Sequence, residues 1–326
     1  MSKSLVKLVL LGAGICAGLL SQANAQTVPS EVPKVVRIVV PFSPGGSNDL
    51  IARAIAPALA RRLNTSVIVE NRPGAAGVIG SEVVANAAPD GSTLLLTSST
   101  FLTAAATQRR SPFDPVKSFT PVAMIAEGPL LLAVPASAPH RSPAELLQAA
   151  RARPGQVSYG SSGVGSVAQL ATELLASDAK VQLLHVPYKG AANALLDLMS
   201  GQIDLMISNY SSISAQIKAG RIRPLAVTSR EPSPVFPDLP PLAAAVPGFA
   251  IDIWAGVLAP AGMPRPLLER LNREINQIAA SPDVRNLLDP DGARPAALAP
   301  EAFATRIASD LAQWKRVATE RSIVVE

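Results

Sequence analysis

The sequence predicts an α/β fold built from two α/β modules, and three observations carry that prediction. Strand and helix signals alternate from Val35 onward, the pattern of a largely parallel sheet covered by crossover helices. Each module places a glycine- and serine-rich loop between a strand and a helix: Pro44 to Asp49 in the first, Gly160 to Ser166 in the second. Apolar residues make up 48% of the 326 residues but aromatics only 4%, so the cores are built from Ala, Val, Leu and Ile. That length suffices for one large or two ordinary domains.

The elements follow in order. Val35 to Val40 reads as a buried strand, and a helix runs from Asn48 to Leu63 with Ile51, Ile55, Leu59 and Leu63 at helical spacing. Ser66 to Val69 is a strand, and the second glycine loop, Asn71 to Gly77, opens a helix through Val84. Pro89-Asp90-Gly91 is a turn before a strand over Thr93 to Thr97. The second module starts with a strand over Leu130 to Val134. Ser142-Pro143-Ala144-Glu145 then reads as a capping box with proline at the first helical position. A strand over Val157 to Tyr159 leads through Gly160 to Ser166 into a helix carrying Leu170, Leu174 and Leu175. Strands over Leu183 to Val186, Ile203 to Ile207 and Pro224 to Val227 have helices between them. The proline-rich stretch Glu231 to Pro247 reads as a surface loop. A strand over Gly256 to Ala259 and helices over Leu267 to Ile278 and Phe303 to Val317 close the chain.

The N-terminus reads as a removable export signal. Lys3 and Lys7 form a positive start, Leu8 to Leu20 an apolar stretch, and Ala23-Asn24-Ala25 a small-residue cleavage site. The stretch is too short and too rich in Gly and Ala to span a membrane. The single cysteine, Cys16, lies inside it, and Ala13-Gly14-Ile15 fits a lipid-attachment box poorly. After cleavage at Ala25 no thiol remains, which excludes disulfides, thiolate metal sites and a cysteine nucleophile. The formal charge is +5, of which Lys3 and Lys7 leave with the signal. The remaining cations are scattered pairs without stacking aromatics, so no nucleic-acid surface is expected.

The two loops point to anion binding. A helix N-terminus presents unpaired N–H groups and about half a positive charge. Glycine allows close backbone approach, and serine adds adjustable donors. Asp49 would repel an anion, so it is expected to cap its own helix or hold a water. Catalytic patterns are missing. Gly160 to Gly165 lacks the dinucleotide spacing and any following lysine, and Ser162 lacks the glycine a nucleophile elbow needs, because Val164 stands there. Only two histidines exist, His140 and His185, so no metal site, no cofactor and no catalytic residue are expected. Trp254 reads as a packing residue where the chain returns to the first module.

These motifs together closely resemble the Bug family, the extracytoplasmic solute receptors of tripartite tricarboxylate transport systems. The resemblance rests on Pro41 to Asp49 with Ala52-Arg53, Glu70 to Gly77, Ala88 to Gly91 and Tyr159 to Ser166. It continues through His185 to Gly190, Asp197 to Asp204, Trp254 to Gly256 and Pro260 to Pro264, in order along the chain. It implies a periplasmic binding protein of type II, with two α/β lobes closing on a central cleft like a hinge. Lobe one would combine residues 26–127 and 253–326, and lobe two residues 128–252, after a signal over 1–25. The ligand, a small organic carboxylate or amino acid, would be held by Phe42, Gly45, Gly46, Ser47, Asp49, Ser98 and Ser99 of lobe one. Lobe two would add Ser161, Ser162, Gly165, Ser166, Tyr188 and Asn209. No arginine is identified that must enter the cleft, which favours a ligand with an uncharged or singly carboxylated far end. The implied protein is a monomer and not an enzyme. Its partner would be a tripartite tricarboxylate-type membrane permease or, alternatively, a sensor kinase; a periplasmic hydrolase is the third reading. Leu205 to Tyr210 departs from the family's usual residues, which leaves ligand identity open, and Pro241 departs within the loop Pro237 to Leu242, which affects only that loop's shape.

Overall fold

A computed structural model describes residues 32–325, so the expected signal through Ala25, with Cys16 inside it, lies outside the described residues. The first sheet begins with β1 (Val35–Val40), a run of β-branched residues whose alternation and full burial at its far end make it a central strand. It leads through a tight loop into α1 (Ser47–Leu63), then β2 (Ser66–Asn71), α2 (Val78–Ala85), β3 (Thr93–Ser98), α3 (Thr100–Thr107) and β4 (Phe119–Pro129). The α1 helix stops at Asn64, which takes the left-handed conformation that Asn tolerates better than most residues.

The chain then crosses into a second sheet: β5 (Leu131–Pro135), α4 (Pro143–Ala152), β6 (Ser158–Ser161), α5 (Val167–Asp178), β7 (Leu184–Pro187) and α6 (Ala191–Ser200). It continues with β8 (Leu205–Ser208), α7 (Tyr210–Lys218) and β9 (Ile222–Val227). The expected capping box starts α4: Ser142 Oγ accepts from the Glu145 N–H at 3.2 Å, and Glu145 reaches back to the Arg141 N–H at 2.6 Å. After Val227 the chain returns to the first sheet with β10 (Asp252–Pro260). Then come α8 (Arg265–Ala279), α9 (Pro282–Leu288), β11 (Arg294–Pro295) and α10 (Pro300–Glu320).

The strand orders are β11-β4-β10-β3-β1-β2 and β7-β6-β8-β5-β9. Both sheets are mixed rather than largely parallel, which corrects the expectation. In the first, β1 runs parallel to β2 and β3, but β10 is antiparallel to β3 and β4. In the second, β6 is parallel to β7 and β8, while β5 is antiparallel to β8 and β9. The reason is topological: a chain that leaves one sheet along β4 and comes back along β10 lays the two side by side in opposite directions. Sequence patterning missed β4 because Pro121 and Pro129 lie within it, and proline demotes a run to an edge or a non-strand. Here β4 bulges twice against β10, at Ile125 and at Val122; the second bulge adjoins the Pro121–Leu258 pair, where the ladder can spare a donor.

Helices cover both faces of each sheet. Leu267, Leu271, Ile275 and Ile278 of α8 and Ile51, Ile55 and Leu59 of α1 pack one face of the first sheet. Phe303, Ile307, Leu311 and Trp314 of α10 join a core that continues into the second lobe through Leu130, Leu242, Phe249 and Trp254. Leu242 and Val246 are buried, so the stretch Glu231 to Pro247, expected to wrap the surface, contributes to this core.

Thr228 stitches the two crossing segments together. Its hydroxyl accepts from the Leu130 N–H at 2.7 Å and donates to the Ile251 carbonyl at 2.8 Å. Its backbone N–H donates to the Leu130 carbonyl and its carbonyl accepts from Ile251, both within 2.9 Å. The side chain is fully buried.

Candidate functional site

The loop that follows β1 is built around Asp49. Its carboxylate accepts from the Gly45 N–H at 2.9 Å, from Asn71 Nδ2 at 2.9 Å and from Arg53 Nε at 3.0 Å. Hydrogen bonding to Arg53 first, and to Gly45 and Asn71 after it, outweighs the burial and holds the carboxyl at about 2. Asp49 therefore folds the loop back onto its own helix. It spends its charge inside the protein rather than on a ligand. Asn71 also donates to the Phe42 carbonyl at 3.2 Å, which fixes the chain on the other side of the loop. Gly45 has a φ of 84°, which only glycine adopts readily. Beside the loop, Asn48 Nδ2 donates to Ser98 Oγ at 3.3 Å, while Ser99 Oγ accepts from the Trp254 N–H at 2.9 Å.

In the second lobe the loop after β6 leads into α5. Ser166 caps that helix by accepting from the Gln169 N–H at 3.3 Å, and Gln169 Oε1 accepts from the Gly165 N–H at 2.8 Å. Gly165 has a φ of 79°, and a Cβ there would lie 2.7 Å from Thr107 Oγ1 of α3, so glycine is required by both backbone and packing. Tyr188 donates its hydroxyl to Asp197 at 2.7 Å and its N–H to the Ser161 carbonyl at 3.1 Å. Burial, then that bond to Asp197, pushes its phenol up to about 12.

A cavity of about 380 Å³ lies between the two sheets. The starts of α1 and α3 reach it from one side, through Gly46, Ser47, Asn48, Ser99 and Thr100. The starts of α5, α6 and α7 reach it from the other, through Ser166, Val167, Ala191 and Asn209. Of the thirteen residues expected at the site, Phe42, Gly46, Ser47, Ser98, Ser99, Ser162, Ser166 and Asn209 line the cavity. Gly45, Asp49, Ser161, Gly165 and Tyr188 do not, and their hydrogen bonds shape the loops from behind.

Among the described residues the lining contains no lysine, arginine or histidine. Its charged members are Glu127 and Asp291, and both already have partners. Glu127 pairs with Arg294 at 2.8 Å and with Arg306 at 3.3 Å. Asp291 accepts from the Ser211 N–H at 2.5 Å and from its hydroxyl at 3.0 Å, joining the first lobe to the start of α7 in the second. Trp254 forms part of the floor. Its indole N–H donates to Asp310 at 3.1 Å, its ring meets Phe303 edge-on, and burial raises the Asp310 carboxyl. The tryptophan both packs and lines. Glu127, Asp291 and Ser212 had no signal in the sequence, since only tertiary structure brings them to the cleft; Asn48 and Thr100 lie inside the loops Phe42 to Asp49 and Ser98 to Thr100, which the family resemblance implied. The arrangement suits an anion held by backbone N–H groups and hydroxyls rather than by a side-chain cation. Among the described residues no cluster of three His, Cys, Asp or Glu side chains could hold a metal ion, and no helix is long and apolar enough to cross a membrane.

Comparison with known proteins decides the family. The profile described as "Tripartite tricarboxylate transporter family receptor" matches residues 51–323. The chain belongs to this receptor family. A Pseudomonas sp. protein described as "UPF0065 protein in tcbD-tcbE intergenic region" is 40% identical to the receptor over 92% of this chain and 90% of its own. Protein BugT of Bordetella pertussis is 34% identical over 93% of each, in accord with the Bug resemblance. Among solved structures, an R. palustris protein with adipate is 36% identical, superposes with a TM-score of 0.76, and is matched over 89% of this chain and 98% of its own. The receptor thus has the two-lobed fold of the periplasmic binding proteins.

Proposed function

We propose that the receptor captures a small carboxylate-bearing organic acid or amino acid in the periplasm and delivers it to a tripartite tricarboxylate-type membrane permease. The observation that carries this reading is the cavity of about 380 Å³, framed from both sheets by helix N-termini and hydroxyls and, among the described residues, free of side-chain cations. The adipate held by the R. palustris relative supports the ligand class. Lobe one comprises residues 26–127 and 253–326 and lobe two residues 128–252, with cleavage after Ala25 and the mature chain acting as a monomer. A carboxylate lies against Gly46, Ser47, Ser98 and Ser99 on one side and Ser162, Ser166 and Asn209 on the other, beside Phe42. Gly45, Asp49, Ser161, Gly165 and Tyr188 support these groups. We read it as a receptor and not a hydrolase: among the described residues Ser161 is the serine bonded to a histidine, and it is fully buried with its hydroxyl held between the Gly163 carbonyl and His185.

The test is the melting temperature of the mature protein, refolded to strip any retained ligand, against a panel of mono- and dicarboxylates and amino acids. A ligand at a hundred times its dissociation constant adds about 2.7 kcal/mol. In a chain of this size that raises the midpoint by on the order of several degrees. A shift confined to one acid class supports the reading and names the class; no shift with any acid overturns it.

A further inference from the structure

Behind the second lobe's loop, Ser161 Oγ lies 2.7 Å from His185 Nε2, and His185 Nδ1 lies 3.1 Å from Gln169 Nε2. An amide nitrogen only donates, so Nδ1 accepts and Nε2 carries the ring proton. Ser161 then accepts from His185 and from the Gly163 N–H at 3.2 Å, and donates to the Gly163 carbonyl at 3.1 Å. Its single donor and both lone pairs are used. Gln169 in turn offers its carbonyl oxygen to the Gly165 N–H at 2.8 Å. Every bond runs in one direction. Ser161 is fully buried and Gln169 is 5% exposed, so water is kept from these two side chains, while His185 itself is half-buried.

We propose that His185 is the positioning residue of this anion loop, acting as a neutral Nε2–H imidazole that sets the hydrogen-bond directions of Ser161 and Gln169. The proposal rests on the reading that the loop through Ser162 and Ser166 holds the ligand. None of Ser161, Gln169 and His185 reaches the cavity, so their effect passes through the loop's backbone.

Adding a proton to His185 turns Nδ1 into a donor facing the donor nitrogen of Gln169. Rotating the Gln169 amide satisfies the imidazolium but sets the amide nitrogen against the Gly165 N–H. Either arrangement leaves a buried donor without an acceptor. The surrounding charged groups offer no relief. The Tyr159 ring stacks on His185 at 4.8 Å, and its hydroxyl donates to Glu173 of α5 at 2.6 Å. Glu173 is answered by Arg321, beyond the end of α10, at 3.2 Å. Past β7, Asp197 is taken by Tyr188. Burial pushes the imidazole down from its usual value, in the same sense as the geometry. Acidification below the ordinary histidine range therefore releases the loop and weakens ligand binding.

The chain has only two histidines, so the H140Q variant leaves His185 as the sole imidazole. Long-range proton–nitrogen NMR on the full mature chain reads its tautomer directly. The expected result is the Nε2–H pattern, a titration midpoint below the ordinary value, and Gly163 and Gly165 amide signals that move with the same midpoint. H185F keeps a ring against Tyr159 but has no ring nitrogen, and its glycine amides stay still over the same pH range. For a carboxylate that raises the melting temperature, affinity in H140Q falls by up to about tenfold per pH unit below that midpoint, and in H185F it does not. An Nδ1–H tautomer, a His185 titration that leaves the two glycine amides unmoved, or affinity that rises on acidification overturns the proposal. The NMR readout needs no ligand, so failure of the carboxylate reading appears separately, in the melting panel.

Discussion

Asp49 illustrates how a side chain that looks like a ligand contact can instead be scaffold. Its carboxyl is about 3% exposed in the ion pair with Arg53 and is held at about 2 against a usual 3.8. A lowered carboxyl stabilises the fold fully above its unfolded value and loses that contribution as pH falls through the folded one. The shift corresponds to about 2 kcal/mol. D49N should therefore be less stable than the parent by about that amount at neutral pH. The gap should narrow as pH falls from 4 toward 2, followed by denaturant unfolding at each pH. A gap that does not change over that window would show that the Asp49 charge is not what holds the loop. The loop composition, Pro41 to Asp49, was legible in the sequence as an anion-binding turn. Which way Asp49 pointed was not, because its three partners come from a glycine four residues back, a helix turn ahead and a different strand.

At the scale of elements, the two crossings between sheets concentrate their connectivity in Thr228. T228V keeps the shape of the side chain but removes a hydroxyl that serves one donor and one acceptor, both buried. Leaving the Leu130 N–H and the Ile251 carbonyl short of a partner costs about 1–3 kcal/mol. Thermal or denaturant unfolding measures the loss, and amide exchange at Leu130 should accelerate with it. A variant as stable as the parent would show that packing and backbone bonds, not the Thr228 hydroxyl, hold the two crossing segments together. Most strands and helices were readable because their apolar spacing is local. The strand Phe119–Pro129 was not, since Pro121 sits beside a bulge at Val122 and Pro129 at the strand's last position, and each extra residue breaks the two-residue alternation by which a strand is read.

For the whole molecule, the contact of Asp291, which lines the cavity, with Ser211 joins the two lobes. A carboxylate that accepts two donors at a helix start stabilises the lobes in the arrangement described here. D291A should shift the ligand-free protein toward a more open shape, seen as a larger radius of gyration by solution scattering, and should weaken carboxylate binding. The coupling follows because a ligand that binds the closed state must then supply the free energy that Asp291 no longer contributes. An unchanged radius and unchanged affinity would mean the lobes are held by other contacts, such as Glu173 with Arg321.

The sequence by itself determined the α/β class, the division into two modules, the loops that start the helices, and membership of a receptor family. Each of these follows from local spacing or from contiguous motifs. Only the tertiary structure decided that both sheets are mixed and that Glu127, Asp291 and Trp254 reach the cleft. It alone separated the eight expected residues that face the cavity from the five that brace it. The physical reason is that hydrogen-bond direction and burial depend on partners far along the chain. A glycine- and serine-rich loop announces that donors are available, and the packed fold determines which of them remain free.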